Sequence, residues 1–160
     1  MQALRCTLRA IITMTHRVCA TVVCLILLSM FAQAAGVVGP VVISNNTGKS
    51  SYVSYTIPWT SDAAGNANAT TFQVTNWGRL VQVEFSPGAG GTQPTALYDI
   101  VLNDARGVDY LSGSGANLSN TVSTLVTPAA PVLVGSATLE LQVSNAGITK
   151  SGTVVVWVGP

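Results

Sequence analysis

The chain has 160 residues, of which 48% are hydrophobic and 8% charged, so it can build a core and is not a disordered acidic or basic tail. Its net charge of +1 is unevenly spread: Arg5, Arg9 and Arg17 precede residue 35, while the remainder sets four bases against six acids, a balance of −2 that argues against nucleic-acid binding. Cys6, Cys19, Cys24, His16 and all three methionines also precede residue 35, which leaves the body without the side chains for a thiolate or imidazole metal site, a disulfide or a Cys/His catalytic pair. No cofactor is expected.

The first element in the chain is a 14-residue apolar run, Val18 to Phe31, shorter than the roughly 20 residues of a membrane-spanning helix. His16 and Arg17 flank it, and Ala32-Gln33-Ala34 before Ala35 has the small-x-small form that signal peptidase accepts. Residues 1–34 therefore read as a signal-peptide-like leader, or as the product of a start assigned too far upstream, with Met14 as the shorter alternative. Cys24 follows Val23 rather than a small residue, so neither a lipid anchor nor a stable membrane anchor is expected.

Residues 35–160 form one domain with the composition of a β protein: 15 Gly, 14 Thr, 13 Ser and 9 Asn make up 51 of 126 residues, interleaved with valine and leucine. Strands are predicted at Val41 to Ile43, Tyr52 to Ile57 and Thr70 to Val74. Arg79 to Phe85 alternates, with Val81, Val83 and Phe85 on one face; Leu97 to Asn103 does so with Tyr98, Ile100 and Leu102. Val132 to Val134 follows, and then Thr138 to Ser144, where Leu139, Leu141 and Val143 share a face. Val154 to Val158 is apolar on both faces. Turns are expected at Ser61 to Asn66, at Asn103 to Gly107 and at Asn145-Ala146-Gly147, the last as a tight hairpin joining the final two strands. The result is an all-β domain, an antiparallel β-sandwich or jelly-roll-like barrel of about eight strands.

A catalytic reading finds little support. Asp99, Asn103, Asp104 and Asp109 cluster within eleven residues, but the alternating ligands and closing Glu of a calcium loop are absent, and turn capping accounts for them. Glu84 and Glu140 occupy the polar faces of alternating strands, without the apolar surroundings that raise a carboxyl pKa for glycosidase chemistry. Ser112 and Ser114 lie among glycines, yet no Gly-x-Ser-x-Gly elbow is formed and no histidine remains as base. No catalytic residue is assigned, and the chain is not expected to be an enzyme. Trp59 and Trp77 flank strands and are the candidate exposed aromatics for stacking on a sugar. Val154, Val156, Trp157 and Val158 are the candidate interface: one face of that strand packs on its own sheet, and the other face, or the strand edge, meets another subunit of a cyclic homo-oligomer such as a trimer. The alternative is a monomer in which the segment Ser112 to Pro131 covers the second face.

Several blocks together resemble a known family. Thr60-Ser61-Asp62-Ala63-Ala64-Gly65, Gln93-Pro94-Thr95-Ala96-Leu97-Tyr98-Asp99-Ile100-Val101-Leu102-Asn103-Asp104, Gly107-Val108-Asp109 and Gly113-Ser114-Gly115-Ala116-Asn117-Leu118-Ser119 are similar to small structural proteins encoded among the virion genes of tailed bacteriophages. Leu139 to Val143, Ser144-Asn145-Ala146-Gly147 and Lys150-Ser151-Gly152-Thr153-Val154 resemble that family's C-terminal hairpin. The resemblance spans about Tyr52 to Val158. It implies a non-enzymatic virion component, a capsid decoration, head-fibre or tail-associated subunit, whose partners are its own copies and another virion protein. The leader departs from that pattern. It supports the alternative of an exported bacterial or phage-encoded surface domain, secreted or cell-surface after cleavage following Ala34, that binds glycans or other surface proteins.

Overall fold

The computed structural model describes residues 36–39, 42–45, 52–75, 78–128, 132–134 and 137–160, all within one compact unit, Ala34–Pro160. The leader, Lys49 and Trp77 lie outside the described residues. Among the described residues ten strands follow in order: β1 (Val37–Val38), β2 (Val42–Asn45), β3 (Val53–Thr60), β4 (Ala67–Gln73), β5 (Arg79–Pro87), β6 (Asp99–Asp104), β7 (Thr124–Val126), β8 (Val132–Leu133), β9 (Thr138–Ser144) and β10 (Ser151–Gly159). A single 3-10 turn, Gly90–Thr92, and no α-helix occur among the described residues. The chain is all-β, and among the described residues every strand pairing is antiparallel.

The strands form two sheets. The larger runs β1-β3-β10-β5-β7, with β2 beside β1 on β3 and β8 beside β7 on β5; the smaller runs β4-β9-β6. Alternation along each strand sends one set of side chains inward: Tyr55, Ile57 and Trp59 from β3, Val154, Val156 and Val158 from β10, and Leu139, Leu141 and Val143 from β9 are all buried. The two inner faces merge into one core. Aromatic pairs cross between them, with ring centroids 5.7 Å apart for Tyr55 and Phe72 and 5.8 Å for Trp59 and Tyr98.

Strand-level departures from the expected pattern have local causes. In β5 the core residues are Leu80, Val83 and Phe85, whereas Val81 is only half-buried. Trp157 pairs with Gln82 but the next residue, Val158, pairs with Leu80, so Val81 is the extra residue of a β-bulge. The bulge reverses the alternation, bringing Leu80 in and turning Arg79 out. Pro58 acts differently. It has no N–H to offer the neighbouring edge, and that edge is broken there into β1 and β2, with the Gly39 N–H donating to the Pro58 carbonyl at 2.6 Å.

Two larger expectations need correction. Asn145 to Gly147 is not a tight hairpin: residues 145–150 form a six-residue crossover, because β9 belongs to the smaller sheet and β10 to the larger. The edge of β10 is not open either, since it is hydrogen-bonded to β3 on one side and β5 on the other. The segment proposed to cover its second face, in the part described to Pro128, runs elsewhere. Residues 109–118 line the free edge of β6 through Tyr110 N–H to Leu102 O (2.8 Å) and Ile100 N–H to Gly115 O (2.8 Å), and β7 then extends the far edge of the larger sheet.

Candidate functional site

The chemistry available to the body rests on its carboxylates, and each is already engaged. Asp62 Oδ1 accepts from the backbone N–H groups of Ala64 (2.8 Å) and Asn66 (2.9 Å), closing the turn that follows β3 with Gly65 at φ +84°. Asp99 Oδ1 accepts from Asn117 N–H at 2.8 Å and Oδ2 from Asn145 Nδ2 at 2.7 Å, tying two loops to the start of β6. Asp109 accepts from Leu111 N–H (2.9 Å) on one oxygen and Gly113 N–H (2.8 Å) on the other. Glu84 accepts from Ser86 Oγ at 3.1 Å, and Glu140 from Gln142 Nε2 at 2.7 Å.

Asp104 is the most constrained of them. Its Oδ1 accepts from the N–H groups of Arg106 (2.8 Å) and Val108 (3.0 Å), and its Oδ2 from Arg106 Nε (2.9 Å) and Nη2 (2.7 Å). The Val108 amide and then the Arg106 guanidinium hold the carboxyl below its ordinary value of 3.8. Thus the turn expected at Asn103 to Gly107 is present, with Asp104 capping its backbone N–H groups. Among the described residues no group of three or more His, Cys, Asp or Glu side chains is placed to hold a metal ion. Burial pushes the Tyr98 hydroxyl up to about 12.

The loops that Asp62 and Asp99 hold are also tied by hydroxyls. Ser61, buried at the end of β3, donates from Oγ to Gly147 O at 2.6 Å and accepts from Lys150 N–H at 2.8 Å, pinning the crossover between the sheets. Thr95 Oγ1 donates to Asn145 O, and Lys150 Nζ to Gly91 O at 3.1 Å. Ser112 and Ser114 are exposed in the turns after Asp109.

The named recognition residues separate in space. Trp59 is 2% exposed and lies in the core against Tyr98, so the expectation of an exposed aromatic there is wrong: it sits at an inward position of β3, not beside the strand. Trp77 lies outside the described residues. Val154, Val156 and Val158 point into the chain's own core and offer no surface to a partner, which corrects three of the four interface candidates. Trp157, on the opposite face of β10, is half-buried and remains.

Around Trp157 the outer face of the larger sheet carries residues that sequence reading did not single out as an interface. Arg79 and Glu84 of β5, Leu125 of β7 and Leu133 of β8 all lie on it, and the leucines are 57% and 72% exposed. Their only signal in the sequence is apolar residues in segments of two and three residues, below the length at which alternation can be read. Among the described residues no helix is long and apolar enough to cross a membrane. No family model and no characterised protein matches the chain.

Proposed function

We propose that the chain is a non-enzymatic structural subunit of a tailed-phage virion, acting through protein–protein assembly as a capsid decoration, head-fibre or tail-associated protein. The observation that carries this reading is the use made of the polar residues. Asp62, Asp99, Asp104 and Asp109 all close or tether loops, which is what a scaffold demands of them and leaves none aimed at a common point. These four residues fall in the blocks that carry the resemblance, so the shared pattern is a pattern of loop architecture. Edge leucines on a low-charge sheet suit contacts between subunits.

An exported surface domain is the second reading, favoured by the apolar run Val18 to Phe31 and the Ala32-Gln33-Ala34 site. Its sugar-stacking version is weakened by the burial of Trp59. Immunogold electron microscopy on particles from the phage or lysogen that encodes the chain separates the two. Labelled particles support the virion role; labelled cell surfaces with bare particles refute it.

A further inference from the structure

The outer face of the larger sheet has an internal symmetry that strand register makes visible. Three rows cross the strands. The first contains Leu133 of β8, Arg79 of β5 and Gly159 of β10; the second Gln82, Trp157 and Ser54; the third Leu125 of β7, Glu84 of β5 and Val155 of β10. Val155 and Gly159 stand two residues either side of Trp157. On β5 the bulge at Val81 supplies the extra residue that turns Arg79 outward and into the first row; with strict alternation it would share the inward face with Val83 and Phe85. Reading outward from the Trp157 row, one direction meets a leucine and a cation, the other a leucine and an anion, in the same strand columns.

We propose that this face is a two-fold interface between two copies of the chain. The axis lies between the two faces and runs across the strands along the Gln82–Trp157 row. Such a rotation keeps each strand column over itself and exchanges the first row with the third. Arg79 of one copy then stands opposite Glu84 of the other, Leu133 opposite Leu125, and the two Trp157 side chains meet at the axis. This is the self-complementarity an isologous contact requires. Each pairing occurs twice, opposite charges meet at both ends, and the exposed leucines are covered at the rim. The inference rests on the self-association part of the proposed function and replaces the expected trimer by a pair.

Charge reversal tests it. Light scattering and sedimentation on the full chain should show a dimer for the wild type. Arg79→Glu or Glu84→Arg alone places like charges opposite one another at both ends and should weaken dimerisation at least about tenfold. The double variant Arg79→Glu/Glu84→Arg restores opposite charges in exchanged positions and should recover the dimer. Circular dichroism and thermal unfolding of each variant check that the fold persists, and Leu133→Ser, at a surface position, should weaken the dimer without either charge change. Single variants that dissociate without recovery in the double variant overturn the proposed pairing. A larger or equal oligomer indifferent to all the substitutions overturns this face and leaves self-association standing. A strict monomer overturns both the face and self-association, while the virion assignment is still decided by the particles themselves.

Discussion

Asp104 takes four hydrogen bonds from a single turn, two of them from backbone amides, and this is the origin of its lowered pKa. The paired Arg106 is 79% exposed, so the ion pair itself contributes little and the amides matter more. A carboxyl held below its ordinary 3.8 stabilises the fold above that pH and loses the contribution as pH falls through the lowered value. Asp104→Asn should therefore be less stable than wild type at neutral pH, with the difference shrinking in acid. Urea midpoints on either side of pH 3.8 measure this. Tyr98 has the opposite sense: raised from 10.0 to about 12 by burial, it costs stability as pH rises above 10. Tyr98→Phe should flatten the alkaline limb of the stability profile between pH 10 and 12.

At the scale of elements, Gly152 shows how closely the strands approach one another. It pairs with Trp59, and a Cβ at that position would meet the indole ring at 2.6 Å and Ser86 O at 2.9 Å. Gly152→Ala should displace Trp59 and cost about 1–3 kcal/mol, the range for overpacking. Leu141→Ala, in the centre of β9 with 0% exposure, should cost about 2–5 kcal/mol. Thermal or urea unfolding followed by tryptophan fluorescence reads both. These positions also show what was legible beforehand. Thr138 to Ser144 alternates without interruption, and β9 has those limits and that buried face. Arg79 to Phe85 alternates too, but one bulged residue moved Val81 off the core face and put Leu80 on it, because a period of two carries no record of an insertion in the pairing. β1 and β7, at two and three residues, are too short to show a period at all. The crossover at Asn145 looked like a hairpin because turn chemistry reports a reversal of direction and not which sheet receives the next strand. Asp caps were readable from residue type and spacing, and so was Trp157 as an interface candidate; the residues of neighbouring strands that surround it were not, since they depend on long-range register.

Across the whole molecule, the core accounts for the inner halves of both sheets, and what remains for function is surface. Each carboxylate works in a loop or beside a neighbouring side chain, the inward valines of β10 are spent on the core, and the outer face around Trp157 keeps exposed leucines beside Arg79 and Glu84. On the proposed reading such a molecule acts by being placed and by contacting its own copies and a neighbour. Replacing Asp99 or Asp109 by Asn should accordingly alter stability or assembly, measured by unfolding and light scattering, and should leave no catalytic trace on glycan substrates.

Mass spectrometry of gradient-purified virions from the encoding phage decides whether the chain belongs to the particle, as proposed. Peptides from the body, such as those flanking Arg79 and Arg106, should appear in a fixed ratio to the major capsid or tail proteins across preparations. Their absence from particles, with the chain recovered instead from the culture medium or cell surface and beginning at Ala35, would contradict the proposal.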